Sequence, residues 1–383
     1  MRTARKNLFG VITAFLLLAL AFGTGRGAQE EPAASYNRAY NDYARFIAGM
    51  ATPESTLAGR AKDPAWSRYA ASMDKEWQRF TGQQLKPMRF WVSQELGIVG
   101  TATAFYPFSG PDFLNLSTLF PQARTYILTA LEPVGALPDF ATVDLSQYFA
   151  DLQKSLQEYL YIDFFVTARM ASQIARTQLQ GVLPVILFFM ARENARVLEV
   201  RYLALKPDGS MEERSALGEG PSTEPGIPGL RIVFEAPGSP EKRTLYYFRF
   251  NLQDNSWRRN PQFASFLKGC GPLTTFTKSA SYLLFSRYSS CLRQFILEKS
   301  DYVLQDDSGI PLKDFDPQIW HLKFYGFYTR PISRFQGKYQ KDLAAVYNKG
   351  KDVYPLPFGI GYQFRPGTSN LIFAAKKPRI LLM

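Results

Sequence analysis

Residues 101–133 read TATAFYPFSGPDFLNLSTLFPQARTYILTALEP, and the folding of this stretch decides the architecture. The tight turn Ser109-Gly110-Pro111-Asp112 stands between two apolar runs. The first run, GTATAFYPF from Gly100, predicts a β-strand. DFLNLSTLF predicts a short helix capped by Asp112, whose carboxylate can accept the free backbone N–H groups of a first helical turn. RTYILTALEP predicts a second strand, and its nearly unbroken apolar run Tyr126–Leu131 suits a strand covered on both faces. Strand, turn, helix and strand in that order make one crossover unit of a parallel sheet. Ligands of such sheets bind beyond the carboxyl ends of the strands, so the turn predicts the mouth of a crevice.

Upstream, YNRAYNDYARFI and DPAWSRYAASMDKEWQRFTG carry aromatic and apolar residues at spacings of three and four. The second pattern has Asp63 as cap, Pro64 in the first turn and Gly82 as its predicted end. Downstream, VDLSQYFADLQKSLQEYL, with Asp144 as cap, and PVILFFMAREN place helices within 142–195. RVLEVRYLAL, LRIVFEAP and TLYYFRFNL then change the period to two, an antiparallel-looking group, with a loop at 217–229. The remainder predicts helices at PQFASFLKG, SASYLLFSRYSSCLRQFILEKS and YQKDLAAVYNKG. Strands are expected at DYVLQ and WHLKFYGFYTR, and a hairpin at GIGYQFRPGTSNLIFAAKK. This order predicts an α/β protein with a mixed, partly parallel sheet and flanking helices. Its Rossmann-like unit lies at 98–133, within an α/β domain 98–383 that holds the antiparallel group near 196–252; a helical N-terminal cover spans 29–97.

The first residues carry an address. Arg2, Arg5 and Lys6 form a basic head, Leu8–Phe22 is almost wholly apolar, and small residues follow at Gly23, Gly25, Gly27 and Ala28. That order predicts a signal peptide over 1–28, cleaved after Gly25 or Ala28, and hence a periplasmic or extracellular protein. The apolar run of about 15 residues is short of the roughly 20 that a spanning helix needs, and no later run approaches that length. Cleavage after Ala28 removes four basic and no acidic residues, so a formal net charge of +12 becomes +8. The basic residues are scattered rather than gathered into a run, which argues against nucleic-acid binding. Cys270 and Cys291 are the only cysteines and His321 the only histidine, so no zinc-ligand set can form. In an oxidising compartment the two cysteines could be bridged or free.

Two predicted strand ends carry the candidate chemistry. The first holds Ser109, Gly110 and Asp112, with Glu132 falling 22 residues after Gly110 at the end of the next strand. Nucleotide-binding folds space a glycine turn and an acidic residue in a similar way. A single glycine, and a proline where an amide would meet an anion, do not complete that fingerprint, so no cofactor is specified. Alternatively, Asp112 only caps its helix. The second end, QDDSGIP, holds Asp306 and Asp307, which on extended chain point to opposite sides. One of them could join Asp112 or Glu132 in holding a cation or a sugar hydroxyl; the plain reading is an Asp-rich turn. His321 is expected to be packed among apolar neighbours.

At FYPFSGPDFLN, TYILTALEPVGALP, KSASYLLF, LQDDSGIP and LPFGIGYQF, from about Arg89 onward, the chain resembles a family of exported bacterial proteins without an assigned activity. The resemblance implies a bacterial, exported protein and brings no catalytic residue with it. Three readings stand on the residues. One is a protein that binds a small molecule or envelope polymer in the crevice. A second is an envelope hydrolase or transferase using the carboxylates with a divalent cation. The third is a scaffold offering its aromatic surface to an envelope protein.

Overall fold

In the computed structural model Thr103–Pro107 (β1) and Thr125–Ala130 (β2) run parallel, with Thr103 beside Thr125 and Pro107 beside Thr129. The helix Phe113–Leu119 lies between them in sequence, as the crossover reading requires. The structure describes residues 37–97, 99–162, 179–214 and 226–378. The predicted signal peptide, residues 163–178 of the predicted helical region and residues 217–225 of the predicted loop lie outside the described residues.

The other strands are Arg196–Leu205 (β3), Met211–Arg214 (β4), Ile227–Glu235 (β5), Lys242–Arg249 (β6) and Leu273–Thr277 (β7). Ser300–Gln305 (β8), Trp320–Gly326 (β9), Val353–Tyr354 (β10) and Asn370–Lys376 (β11) complete the set. Among the described residues all eleven join one sheet in the order β10-β9-β11-β8-β7-β1-β2-β6-β5-β3-β4. Its centre, β8-β7-β1-β2-β6, is parallel throughout. The predicted antiparallel group is β3, β5 and β6: β6 joins it to the parallel centre, and β4, in a stretch that reads as a turn, pairs antiparallel beyond β3, while β11 pairs antiparallel with both β8 and β9.

Period-two alternation assigns each central strand to two cores. Ala104, Tyr106, Tyr126 and Leu128 face a layer containing the helices Arg38–Ile47, Pro64–Phe80, Lys86–Glu95, Leu145–Ile162 and Leu183–Arg192. Phe105 and Ile127 face the helices Pro261–Gly269 and Ser290–Lys299 on the other side. A strand buried on both faces has no polar stripe, which is why Tyr126–Leu131 reads as one apolar run. The helices of the predicted N-terminal cover therefore form part of one layer on the sheet.

The crossover β1 to β2 passes through a helix in the first layer, whereas β7 to β8 passes through Ser290–Lys299 in the second. The two connections leave the centre in opposite directions, so the strand order reverses between the neighbours β1 and β7. Crevices of open α/β sheets form at that reversal.

Five expectations change. β7 carries no strand signal in the sequence: LTTFT is only five residues long, yet it sits at the sheet's centre. The helix expected over 279–300 begins only at Ser290, because Ser279, Ser281 and Tyr282 take left-handed backbone (φ 49°, 51° and 54°) that no helix admits. Gly82 does not stop the second helix; a wide turn over Thr81–Leu85 carries it into Lys86–Glu95. The predicted terminal hairpin is instead a lone strand, β11, inserted between β8 and β9, with one bridge, Ile360 to Gln363, before it. His321 is exposed on β9.

Candidate functional site at the carboxyl rim

All five parallel strands end on one rim, which brings the two predicted strand ends onto adjacent parts of the same edge. After β1 the chain turns sharply, with Phe108 and Gly110 both left-handed at φ 60° and 56°. Ser109 is buried, and its N–H and hydroxyl donate to the Thr129 carbonyl of β2 at 3.0 and 3.3 Å. Ser109 thus ties two strand ends together and keeps Asp112 at the start of the helix.

Asp112 does cap that helix, accepting the Asn115 N–H at 3.1 Å, and it does more. The Tyr159 hydroxyl donates to it at 2.6 Å and the Tyr106 hydroxyl at 3.3 Å. Lys278 Nζ, at the end of β7, lies 3.2 Å from its second oxygen and 5.4 Å from the centre of the Tyr159 ring. Asp112 and Lys278 are 1% and 2% exposed, so this ion pair is held out of water. It spans β1 and β7, where the strand order reverses. Asn115, which also donates to the Asp112 carboxylate, is 1% exposed.

One strand further on, Asp306 and Asp307 follow β8 and are also buried. They diverge, as extended backbone demands. Asp306 accepts from the Ser279 N–H at 2.8 Å and the Ser308 N–H at 2.9 Å. Asp307 accepts from the Asn370 amide at 3.0 Å and from the Tyr282 hydroxyl. Burial, together with the neighbouring Asp307 charge, pushes the Asp306 carboxyl up from its ordinary 3.8 to about 7. Burial likewise raises Asp307, against the pull of its Tyr282 and Asn370 hydrogen bonds. Gly361 makes this packing feasible: a Cβ there would overlap the Asp306 carboxylate.

The loop Lys278–Tyr282 joins the two clusters, since Lys278 reaches Asp112 while the Ser279 amide holds Asp306. Four of the seven non-glycine residues with positive φ among the described residues, Phe108, Ser279, Ser281 and Tyr282, stand on this rim. Each left-handed residue costs roughly 1–2 kcal/mol, and such strain collects at working sites. Ser281 is exposed, and it and its partner Tyr362 mark where the rim meets solvent. Tyr362 stacks on Tyr282 and lies 5.2 Å from Phe335, so aromatic faces flank the acids.

Glu132 stands apart. It is 2% exposed at the end of β2, and its Oε2 has no hydrogen-bond partner among the described residues. Burial raises its pKa. No hydrogen bond among the described residues links Glu132 to Asp112 or to the Asp306–Asp307 pair. Thr129 Oγ1, Thr277 Oγ1 and Ser279 Oγ are likewise buried without partners on this rim. Among the described residues no three acids, cysteines or histidines are disposed to hold a metal ion. Cys270 and Cys291 are free thiols.

Lys278 is the residue that sequence reasoning missed. A lysine closing a β-branched run looks like a solvated strand end, and only the three-dimensional neighbourhood of Asp112 gives it a role. Compared with protein-family models, with curated proteins and with solved structures, the chain matches none of them.

Proposed function

We propose that this chain is an exported bacterial protein that binds a small hydroxyl-rich ligand, such as a saccharide unit of an envelope polymer, at the carboxyl rim. The observation that supports the reading is that three buried acids, Asp112, Asp306 and Asp307, each contact the strained loop Lys278–Tyr282 beside the reversal point of a parallel sheet. An acid with a pKa near neutrality can both donate to and accept from a hydroxyl. The hydroxyls and aromatic faces of Ser281, Tyr282 and Tyr362 supply the other contacts that a sugar uses. Export rests on the order of basic head, apolar run and small residues over 1–28 and on the resemblance of the later motifs.

Calorimetry of the mature chain against hydrolysed envelope-glycan fragments tests the reading. A fragment that binds the wild type should bind Asp306→Asn and Asp307→Asn at least tenfold more weakly. Absence of binding to every fragment, or equal binding by both folded variants, would reject it.

A further inference from the structure

The opposite rim holds a concavity with different chemistry. A groove of about 580 Å³ is lined by Trp77, Arg89, Tyr126, Arg192 and Arg243, near the amino ends of β2 and β6. The three guanidiniums meet only one carboxylate in its wall, Glu193, which Arg89 already holds at 2.7 Å. Arg192 is 7% exposed and bound to Asp74 through Nη1, but its Nε and Nη2 have no partner among the described residues. Arg243 donates from Nη1 to the Pro121 carbonyl and, at 3.3 Å, to the Tyr126 hydroxyl; its Nε and the Thr81 hydroxyl of the same wall are unpartnered. Arg192 and Arg243 thus bring positive charge to a wall whose one carboxylate is already paired, and an anion in the groove balances that charge.

The groove continues. A second hollow of about 480 Å³ shares Arg89, Ser117, Pro121 and Glu193 with the first, and it is lined by Val92, Leu96, Val99, Leu119 and Phe120. One end is therefore cationic and donor-rich, the other apolar, and the Arg89–Glu193 pair lies where they join.

We infer that this groove binds an anionic amphiphile, with a carboxylate or phosphate head at Arg192 and Arg243 and an aliphatic body along Leu96 and Phe120. The geometry suits a head that takes two or more guanidinium N–H groups and a chain that leaves water beyond Ser117. This site is separate from the carboxyl rim and does not depend on the saccharide reading.

The test is calorimetric titration of the full mature chain with decyl phosphate, decanoate and neutral 1-decanol, with the part of the tryptophan fluorescence change that is lost in Trp77→Phe as a local readout. Binding of decyl phosphate or decanoate at least tenfold tighter than that of 1-decanol is expected, weakened at least tenfold in Arg243→Gln. Ser117→Trp, which fills the junction without touching the cationic end, should weaken the same probes and decides the matter if Arg243→Gln does not fold. Equal binding of 1-decanol, no binding of either anion, or unaltered binding in a folded variant would overturn the inference. Tighter decyl phosphate than decanoate binding would assign a phosphate head, and the reverse a carboxylate.

Discussion

At the residue scale the Asp112–Lys278 pair is the most consequential contact on the rim. Both charges are buried, so removing one strands the other in low dielectric. Lys278→Met is expected to cost about 3–5 kcal/mol in urea unfolding, and adding Asp112→Asn to it should restore a large part of that loss. A loss under about 1 kcal/mol for the single variant would show the pair to be solvated. Asp306 makes a second prediction, of pH dependence. Its folded pKa lies above its unfolded one, so the native state binds the extra proton between 3.8 and about 7. Its contribution to stability is thus full at the acid end and is lost as pH rises through that window. Asp306→Asn should flatten this decline relative to the wild type in unfolding midpoints measured across the window. An unchanged slope would deny the shift.

At the scale of elements, the strained loop after β7 is where sequence and structure part. Ser279 is left-handed at φ 49° and its hydroxyl has no partner among the described residues. Ser279→Gly removes the backbone strain without removing a side-chain hydrogen bond, and should stabilise the fold by up to ~1 kcal/mol in denaturant titration. Clear destabilisation would mean that the hydroxyl is engaged. The opening unit was legible because each of its parts carries its own signal: an apolar run, a Gly-Pro turn, an Asp cap and a second apolar run. β7 was not, because five residues give too short a run for periodicity to register between a helix and a helix-like pattern. The apolar residues of Ser281–Lys299 recur at helical spacing, and nothing local announces the left-handed residues that delay the helix to Ser290. Asp112, Asp306 and Asp307 were found because acids after strands stand out. Their burial was not, since it depends on Tyr159, Asn370 and Gly361, residues from distant segments.

In the molecule as a whole, the described residues make one compact unit. The first helical layer packs Phe46, Phe80 and Met88 into the same core as Tyr126 and Phe189. Deleting residues 37–97 should therefore prevent residues 98–383 from folding, seen as loss of the near-ultraviolet circular dichroism signal. A cooperative melt of the remainder would instead make the helical layer a separable cover. At the sheet's reversal between β1 and β7, the carboxyl rim is desolvated and strained rather than a set of ordinary turns. Site-resolved ¹³C NMR of the Asp306 carboxyl measures that desolvation. A desolvated Asp306 gives a titration midpoint at about 7, whereas a midpoint near the ordinary 3.8 would mean a solvated carboxylate and overturn the desolvated rim.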